Sequence, residues 1–187
     1  MACNVFIIHG AYGRPDENWF PWLKGELEKL DCRVFIPKFP TPEKQTMKKW
    51  LKAFENYGKY LNEDSIVVGH SLGCAFILNL LENKKIRAAF LVAAYYKFIG
   101  NDYFDTISKT FMKSFDWEKI KGNCGKFFIY HSDNDMYQPL SMAHGLTDNL
   151  NARLKIIKNA GHFNEKSGYV KFEALLHDLK RLVAKDL

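Results

Sequence analysis

Short, continuously apolar runs alternate along the chain with longer stretches whose apolar positions recur every three or four residues. Val5-Phe6-Ile7-Ile8, Val34-Phe35-Ile36, Ser65-Ile66-Val67-Val68, Ala88-Ala89-Phe90-Leu91-Val92, Lys126-Phe127-Phe128-Ile129-Tyr130 and Leu154-Lys155-Ile156-Ile157 read as six strands. Most carry no polar alternation, which predicts burial on both faces and hence parallel pairing. Residues 18–30, 43–61, 72–82, 140–150 and 169–187 read as helices. In the first, Trp19, Trp22, Leu23, Leu27 and Leu30 share a face; in the second, Met47, Trp50, Leu51, Phe54, Tyr57 and Leu61 do. The alternation predicts one α/β domain over residues 1–187, with three layers: a central, mostly parallel six-stranded sheet and helices on both faces.

One segment breaks the rhythm. Tyr95 to Asn123 separates the fourth and fifth strands, is rich in aromatics and is only weakly periodic. An insertion of that kind either covers a site or supplies an ordinary crossover helix and loop. Both readings are open from sequence.

Composition narrows the class. With 47% hydrophobic and 26% charged residues, the chain is neither disordered nor a coiled coil. At 187 residues it buries enough surface to need no metal or disulfide for its core. No apolar run is long enough to span a membrane, and Met1 to His9 lacks the basic start of a secretion signal. The four cysteines (Cys3, Cys32, Cys74, Cys124) form no C-x-x-C pair, so they read as free buried thiols of a cytoplasmic protein. The net charge of +6 raises the question of nucleic acid. Yet the basic residues are interspersed with acids: Lys44, Lys48, Lys49 and Lys52 with Glu43 and Glu55, and Lys180, Arg181 and Lys185 with Asp178 and Asp186. These read as solvated helix faces, with no nucleic-acid partner.

Candidate chemistry lies just after predicted strands. Gly69-His70-Ser71-Leu72-Gly73 is G-x-S-x-G between a strand and an apolar helix, the context in which a sharp turn exposes a serine hydroxyl. The amides opening that helix would face a developing oxyanion. Ser132-Asp133-Asn134-Asp135 follows the fifth strand, where one aspartate could orient an imidazole and the other could form a turn or cap a helix. Ala160-Gly161-His162-Phe163 follows the sixth. The chain order Ser71, Asp135, His162 is that of α/β-hydrolases. His9-Gly10-Ala11-Tyr12-Gly13, after the first strand, is similar to the H-G-x-x-G loop that lends an amide to an oxyanion hole. The donors would be Ala11, or Tyr12, together with Leu72; His9 is the other candidate base, although a histidine at that position usually braces the loop. His70, His131 and His144 read as structural or exposed, and Cys74 as a packing residue.

Together these motifs, with Asn18-Trp19-Phe20-Pro21-Trp22-Leu23 and Gly-His-Ser-Leu-Gly-Cys, carry a resemblance to the small serine hydrolases related to retinoblastoma-binding protein nine. These are lidless or short-capped members of the α/β-hydrolase superfamily, and the likeness runs from His9 to about Phe163. It implies Ser71 as nucleophile, Asp135 as orienting acid, His162 as base, and a small ester or amide as substrate. One departure is Gln138, where the family's acid loop usually has valine before the proline. Tyr12, Trp19, Phe20, Tyr95 and Tyr96 are expected to line the substrate pocket. Neither a metal set nor a nucleotide loop is present, so the sequence implies no cofactor. The expected partner is a small-molecule acyl substrate, with no membrane. A rival reading keeps the fold as a protein-interaction module built on the aromatics between Tyr95 and Trp117, although the sequence indicates no particular protein partner.

Overall fold

The computed structural model describes residues 3–184 of the 187-residue chain. Six strands, β1 (Asn4–Ile8), β2 (Arg33–Phe35), β3 (Ile66–His70), β4 (Ala88–Val92), β5 (Phe127–Ser132) and β6 (Arg153–Ile157), form one sheet in the order β2-β1-β3-β4-β5-β6. All five ladders are parallel, with Val5 opposite both Val34 and Ile66, Val68 opposite Phe90, and Leu91 opposite Ile129. The chain reverses its direction of winding at β1, which has β2 on one side and β3 on the other. Such a switch point opens a crevice at the carboxyl ends of the strands.

Alternate residues of each strand enter two separate cores, as the two-residue strand period requires. Val5, Ile7, Ile66, Val68, Phe90 and Tyr130 pack with α1 (Phe20–Glu28) and α7 (Glu173–Val183). Phe6, Ile8, Val67, Leu91 and Ile129 face α2 (Met47–Phe54), α3 (Leu72–Leu81), α5 (Trp117–Gly122) and α6 (Leu140–Leu150). The three-layer α/β arrangement expected from the pattern, a central parallel sheet with helices on both faces, is therefore the one observed. The cysteines are free; Cys32, Cys74 and Cys124 are buried and Cys3 is half-buried. No helix among the described residues is long and apolar enough to cross a membrane.

Element boundaries depart from the periodicity where local chemistry intervenes. The predicted helix over 43–61 begins only at Met47, because Thr46 caps it by accepting the amide of Lys49 (3.3 Å), and it tightens into a 3₁₀ turn over Glu55–Tyr60. Its Leu51 sits at the edge of the apolar stripe and is 40% exposed. The predicted helix over 169–187 begins at Glu173, because Gly168 adopts φ +83° and Phe172 is not helical; residues 185–187 lie outside the described part. Asp178 departs from the solvated face expected for it. It is buried, accepts the hydroxyl of Tyr130 and pairs with Lys155, tying α7 to β5 and β6. Burial raises its pKa, but these two donors outweigh that and hold the carboxyl below its ordinary value. The long segment after β4 forms α4 (Asp102–Ser108), capped by Asn101, and α5, capped by Asp116.

The packing of α7 yields a direct test. Leu179→Ala, at a fully buried position, should lower unfolding free energy by about 2–5 kcal/mol. Leu51→Ala should change it by less than about 0.5 kcal/mol. Urea unfolding followed by circular dichroism measures both, and equal effects would contradict the packing described.

Candidate active site

The crevice at the switch point is flanked by loops from β1, β3, β4, β5 and β6. After β3 the chain turns so abruptly that Ser71 takes φ +54° and ψ −119°, a backbone state that side chains rarely occupy. Its amide is tied to the carbonyl of Val92 at 2.9 Å. The turn exists because the flanking glycines let backbone and helix approach. A Cβ on Gly73 would stand 2.4 Å from the carbonyl oxygen of Ile8, and one on Gly69 2.6 Å from Ile77 Cδ1. The strand-to-helix elbow expected from G-x-S-x-G is thus present.

The loop after β1 lies against this elbow: a Cβ on Gly10 would be 3.0 Å from the Cβ of Ser71. His9 braces the loop from within, its Nδ1–H donating to the carbonyl of Gly10 (2.8 Å) and its Nε2 accepting the amide of Phe39 (3.2 Å). The amide of Tyr12 is already engaged by Thr41 Oγ1 (2.9 Å) and Gln45 Oε1 (3.2 Å). Of the two alternatives left by the sequence, Tyr12 is therefore the poorer oxyanion donor. Among the described residues, the amides of Ala11 and Leu72 have no protein acceptor.

Opposite them, the loop after β5 grips the loop after β6. Asp133 Oδ1 accepts the amide of Asn159 (2.8 Å), Ser132 Oγ that of Ala160 (2.9 Å) and Asn134 Oδ1 that of Gly161 (2.8 Å). Asp135 completes the series through Oδ2, which accepts Nδ1–H of His162 at 2.8 Å. Its Oδ1 accepts the amides of Tyr137 (2.9 Å) and Gln138 (3.1 Å). Burial pushes the Asp135 carboxyl up, but the His162 ring and these two amides more than offset it, so its pKa lies below the usual value. The question left by the two aspartates is answered by position: Asp135 meets the imidazole and Asp133 holds the loop. With Nδ1 protonated, the neutral ring of His162 carries its lone pair on Nε2.

Ser71 and His162 line one cavity of about 510 Å³. No hydrogen bond joins their side chains, a looseness common in unliganded sites that tightens around substrate. Two side chains fix the histidine from behind. His70 Nε2–H donates to its carbonyl at 2.8 Å, and Trp19 Nε1–H donates to the carbonyl of Phe163 at 3.0 Å. His70, structural or exposed by its sequence, is buried, and its hold on His162 has no motif of its own. Tyr12 and Tyr95 line the cavity, together with Tyr103, Phe104 and Ile107 of α4 and with Tyr137. The aromatic insertion after β4 thus does cover the site in part, through α4. Tyr103 donates to the hydroxyl of Tyr12 across the mouth (3.2 Å).

Three expected pocket residues are elsewhere. Trp19, which precedes α1, and Phe20, which opens it, are fully buried in the core beside α7, both rings packing on His70 and Trp19 also on Phe172. Tyr96 packs against Trp117 and over Gly145 of α6. Cys74 is buried beneath the elbow; burial raises its thiol pKa strongly, which suits packing and not nucleophilic attack. Among the described residues, no cluster of three or more potential ligands is placed to hold a metal ion.

Burial also holds the bracing histidines neutral. His70 is pushed down to about 3, chiefly by desolvation and then by the neighbouring His162, and His9 is lowered by desolvation. The unfolded chain, with ordinary imidazoles near 6.5, binds more protons than the folded one between those values. Stability should therefore be full above about pH 6.5 and decline as pH falls toward 5. In His70→Gln, which keeps a donor for the carbonyl, that slope should shrink by about 1 kcal/mol per pH unit. Urea midpoints at pH 5 to 7.5 decide the matter, and an unchanged slope would contradict a buried neutral His70.

Comparison with known proteins agrees with this frame. The profile of a family described as serine hydrolase matches residues 5–181. YdeN of Bacillus subtilis (strain 168) is 28% identical over 190 residues, covering 100% of this chain and 99% of its own length. The crystal structure of the ydeN gene product superposes with a TM-score of 0.90 over 98% of this chain and 100% of that one. The serine hydrolase RBBP9 of Rattus norvegicus is 27% identical over 170 residues, covering 90% of this chain and 88% of its own. Est1E of Butyrivibrio proteoclasticus, solved with ferulic acid bound, shares the fold at 16% identity, with a TM-score of 0.74 over 98% of this chain and 89% of that one. A profile reaching from the first strand into the last helix settles the kinship: this chain belongs to the serine hydrolase family.

Proposed function

We propose that the chain hydrolyses small ester or amide substrates by acyl transfer through Ser71, with His162 as base and Asp135 as its orienting carboxylate. The observation that carries this reading is the His162 imidazole, fixed at Nδ1 by Asp135 and sharing one cavity with Ser71. A serine hydroxyl is a weak nucleophile until a base accepts its proton. His162 Nε2 takes that proton as Oγ attacks the acyl carbon, and Asp135 stabilises the imidazolium. The oxyanion is received by the amides of Ala11 and Leu72. His162 then returns the proton to the leaving alcohol or amine, and a water activated by the same ring releases the acid. Each oxyanion donor of this kind contributes about 3–4 kcal/mol to the barrier reduction.

The cavity supports a compact acyl group. Its volume of about 510 Å³ is shared between substrate halves, and α4 closes one side with aromatic rings. The p-nitrophenyl esters should therefore show highest kcat/KM for short chains, and a rise toward long chains would contradict this. Fluorophosphonate should label the wild type at Ser71 and leave Ser71→Ala unlabelled, as read by mass-spectrometric mapping. Turnover in His162→Ala should fall by a factor on the order of 10⁴ or more. Labelling that persists in Ser71→Ala would end the proposal.

A further inference from the structure

Two of the four cysteines meet just before β1 and β2, at the end of the sheet opposite the crevice. The parallel register sets Asn4 beside Arg33, and the Arg33 amide donates to the carbonyl of Cys3 at 2.9 Å. One step back along both segments, Cys3 and Cys32 are therefore neighbours. The strand period also turns them to one face: Cys32 belongs to the core beside α1 and α7, with Val5 and Val34, and Cys3 packs against that core. Adjacent strands stand about 4.8 Å apart, inside the Cα separation that a disulfide requires. Cys74 and Cys124 are no rivals, since both are buried in the core on the other face of the sheet.

The pair is asymmetric in the way a reactive dithiol needs. Cys3 is half-buried and open to a small reagent, whereas Cys32 is 5% exposed. The Cys32 thiol donates to the Cys3 sulfur, which lowers the Cys3 pKa despite burial, and the Arg87 guanidinium lowers it further. The same contact, together with burial, raises that of Cys32. The carbonyl contacts of the two sulfurs are long, 3.9 Å from Cys3 to Asp64 and 3.8 Å from Cys32 to Leu30, so neither thiol is committed to a strong partner elsewhere. An accessible thiolate beside a protonated neighbour is the setting in which a first oxidation is resolved as a disulfide.

We infer that Cys3 and Cys32 form a redox-modification site, at which a hydroperoxide converts the dithiol reversibly to a disulfide. The Cys3 sulfur attacks the terminal peroxide oxygen and the O–O bond breaks. The departing oxygen takes up the proton that Cys3 gave, as alcohol or water, and Cys3 is left as a sulfenic acid. The Cys32 sulfur then attacks it: the S–S bond forms, the S–O bond breaks, and the oxygen leaves with the Cys32 proton as water. Two thiols thus lose two electrons and two protons, and the hydroperoxide receives them. The new bond closes a ring around β1, the loop after it and α1, which restricts the unfolded chain more than the folded one. The pair lies at the far end of the strands from Ser71, and its chemistry does not depend on the reaction proposed there.

The test treats the native, reduced full chain with a few equivalents of hydrogen peroxide and maps its cysteines by mass spectrometry of non-reduced digests. The expected product is a Cys3–Cys32 linked peptide pair, with Cys74 and Cys124 still free, and dithiothreitol should reverse it. In Cys32→Ser, the sulfenic acid on Cys3 should persist and be captured by dimedone, whereas in Cys3→Ser residue 32 should stay unmodified. Oxidation of wild-type Cys3 to the sulfinic acid without a link would overturn the assignment. So would a link through Cys74, Cys124 or a second chain, or no reaction under conditions that oxidise free glutathione. These readings are taken on the wild type, so they stand even if a variant fails to fold. The linked form should also melt about 5 °C or more above the reduced form. A lower melting point would show that the fold must distort to make the bond, and would equally overturn it.

Discussion

The clasp between residues 132–135 and 159–162 is the constraint on which the site's geometry depends. Four consecutive side chains, Ser132 ending β5 and the three that follow it, each accept from one of four consecutive residues after β6. Neither loop has regular structure to hold it, and Asn159, Gly161 and Phe163 all adopt left-handed backbone angles. A Cβ on Gly161 would lie 2.3 Å from Ser167 Oγ and 2.8 Å from its Cβ, so glycine suits this bend, and a side chain there would have to displace Ser167. The clasp replaces the missing backbone ladder with side-chain acceptors and delivers the imidazole as its last member. Because β5 and β6 are neighbours in a parallel sheet, both loops leave from the same edge, and the grip is short and strong.

Around that clasp the molecule divides its histidines by environment. His162 has a carboxylate on one nitrogen and an open cavity on the other. His9 and His70 are enclosed, and desolvation keeps them uncharged. Their neutral rings act as rigid connectors: His9 between the β1 loop and the backbone at Phe39, His70 between the elbow and the carbonyl of His162. Protonating either would place an unpaired charge inside the core. The same burial that makes them good braces makes them poor bases.

The elbow and the cover complete the arrangement with opposite strategies. The elbow is strained and close-packed, with Ser71 in an unusual backbone state over glycines that admit no side chain. The cover is lightly built: a seven-residue helix, α4, presents Tyr103, Phe104 and Ile107 to the cavity. Gln45 links the two, since its Oε1 accepts the amide of Tyr12 and its Nε2 donates to the carbonyl of Ile107. The cover is thereby tied to the loop that carries Ala11.

Much of this was legible in the sequence. The four inner strands, β1, β3, β4 and β5, were legible because residues buried on both faces leave continuous apolar runs, whereas the edge strands β2 and β6 are partly exposed and showed only as shorter apolar pairs and triplets. Local rules placed Ser71 at a tight turn and put Asp135 and His162 in loops after strands, since strand period, glycine and chain order are properties of short segments. The pocket wall was not legible in the same way. Trp19, Phe20 and Tyr96 have the same chemistry as Tyr95 and Tyr103, and whether an aromatic ring enters a core or a cavity depends on which neighbour arrives from elsewhere in the chain. Likewise, nothing local distinguishes Asp178, buried under Lys155, from a solvated acid, or Gln138 from a surface glutamine. The sequence by itself determined the layers, the order of the strands' chemistry and the candidate nucleophile. Only the tertiary structure decided which aspartate meets the imidazole, which amides remain free and which side chains face the cavity, because each of those is a contact between segments far apart in the chain.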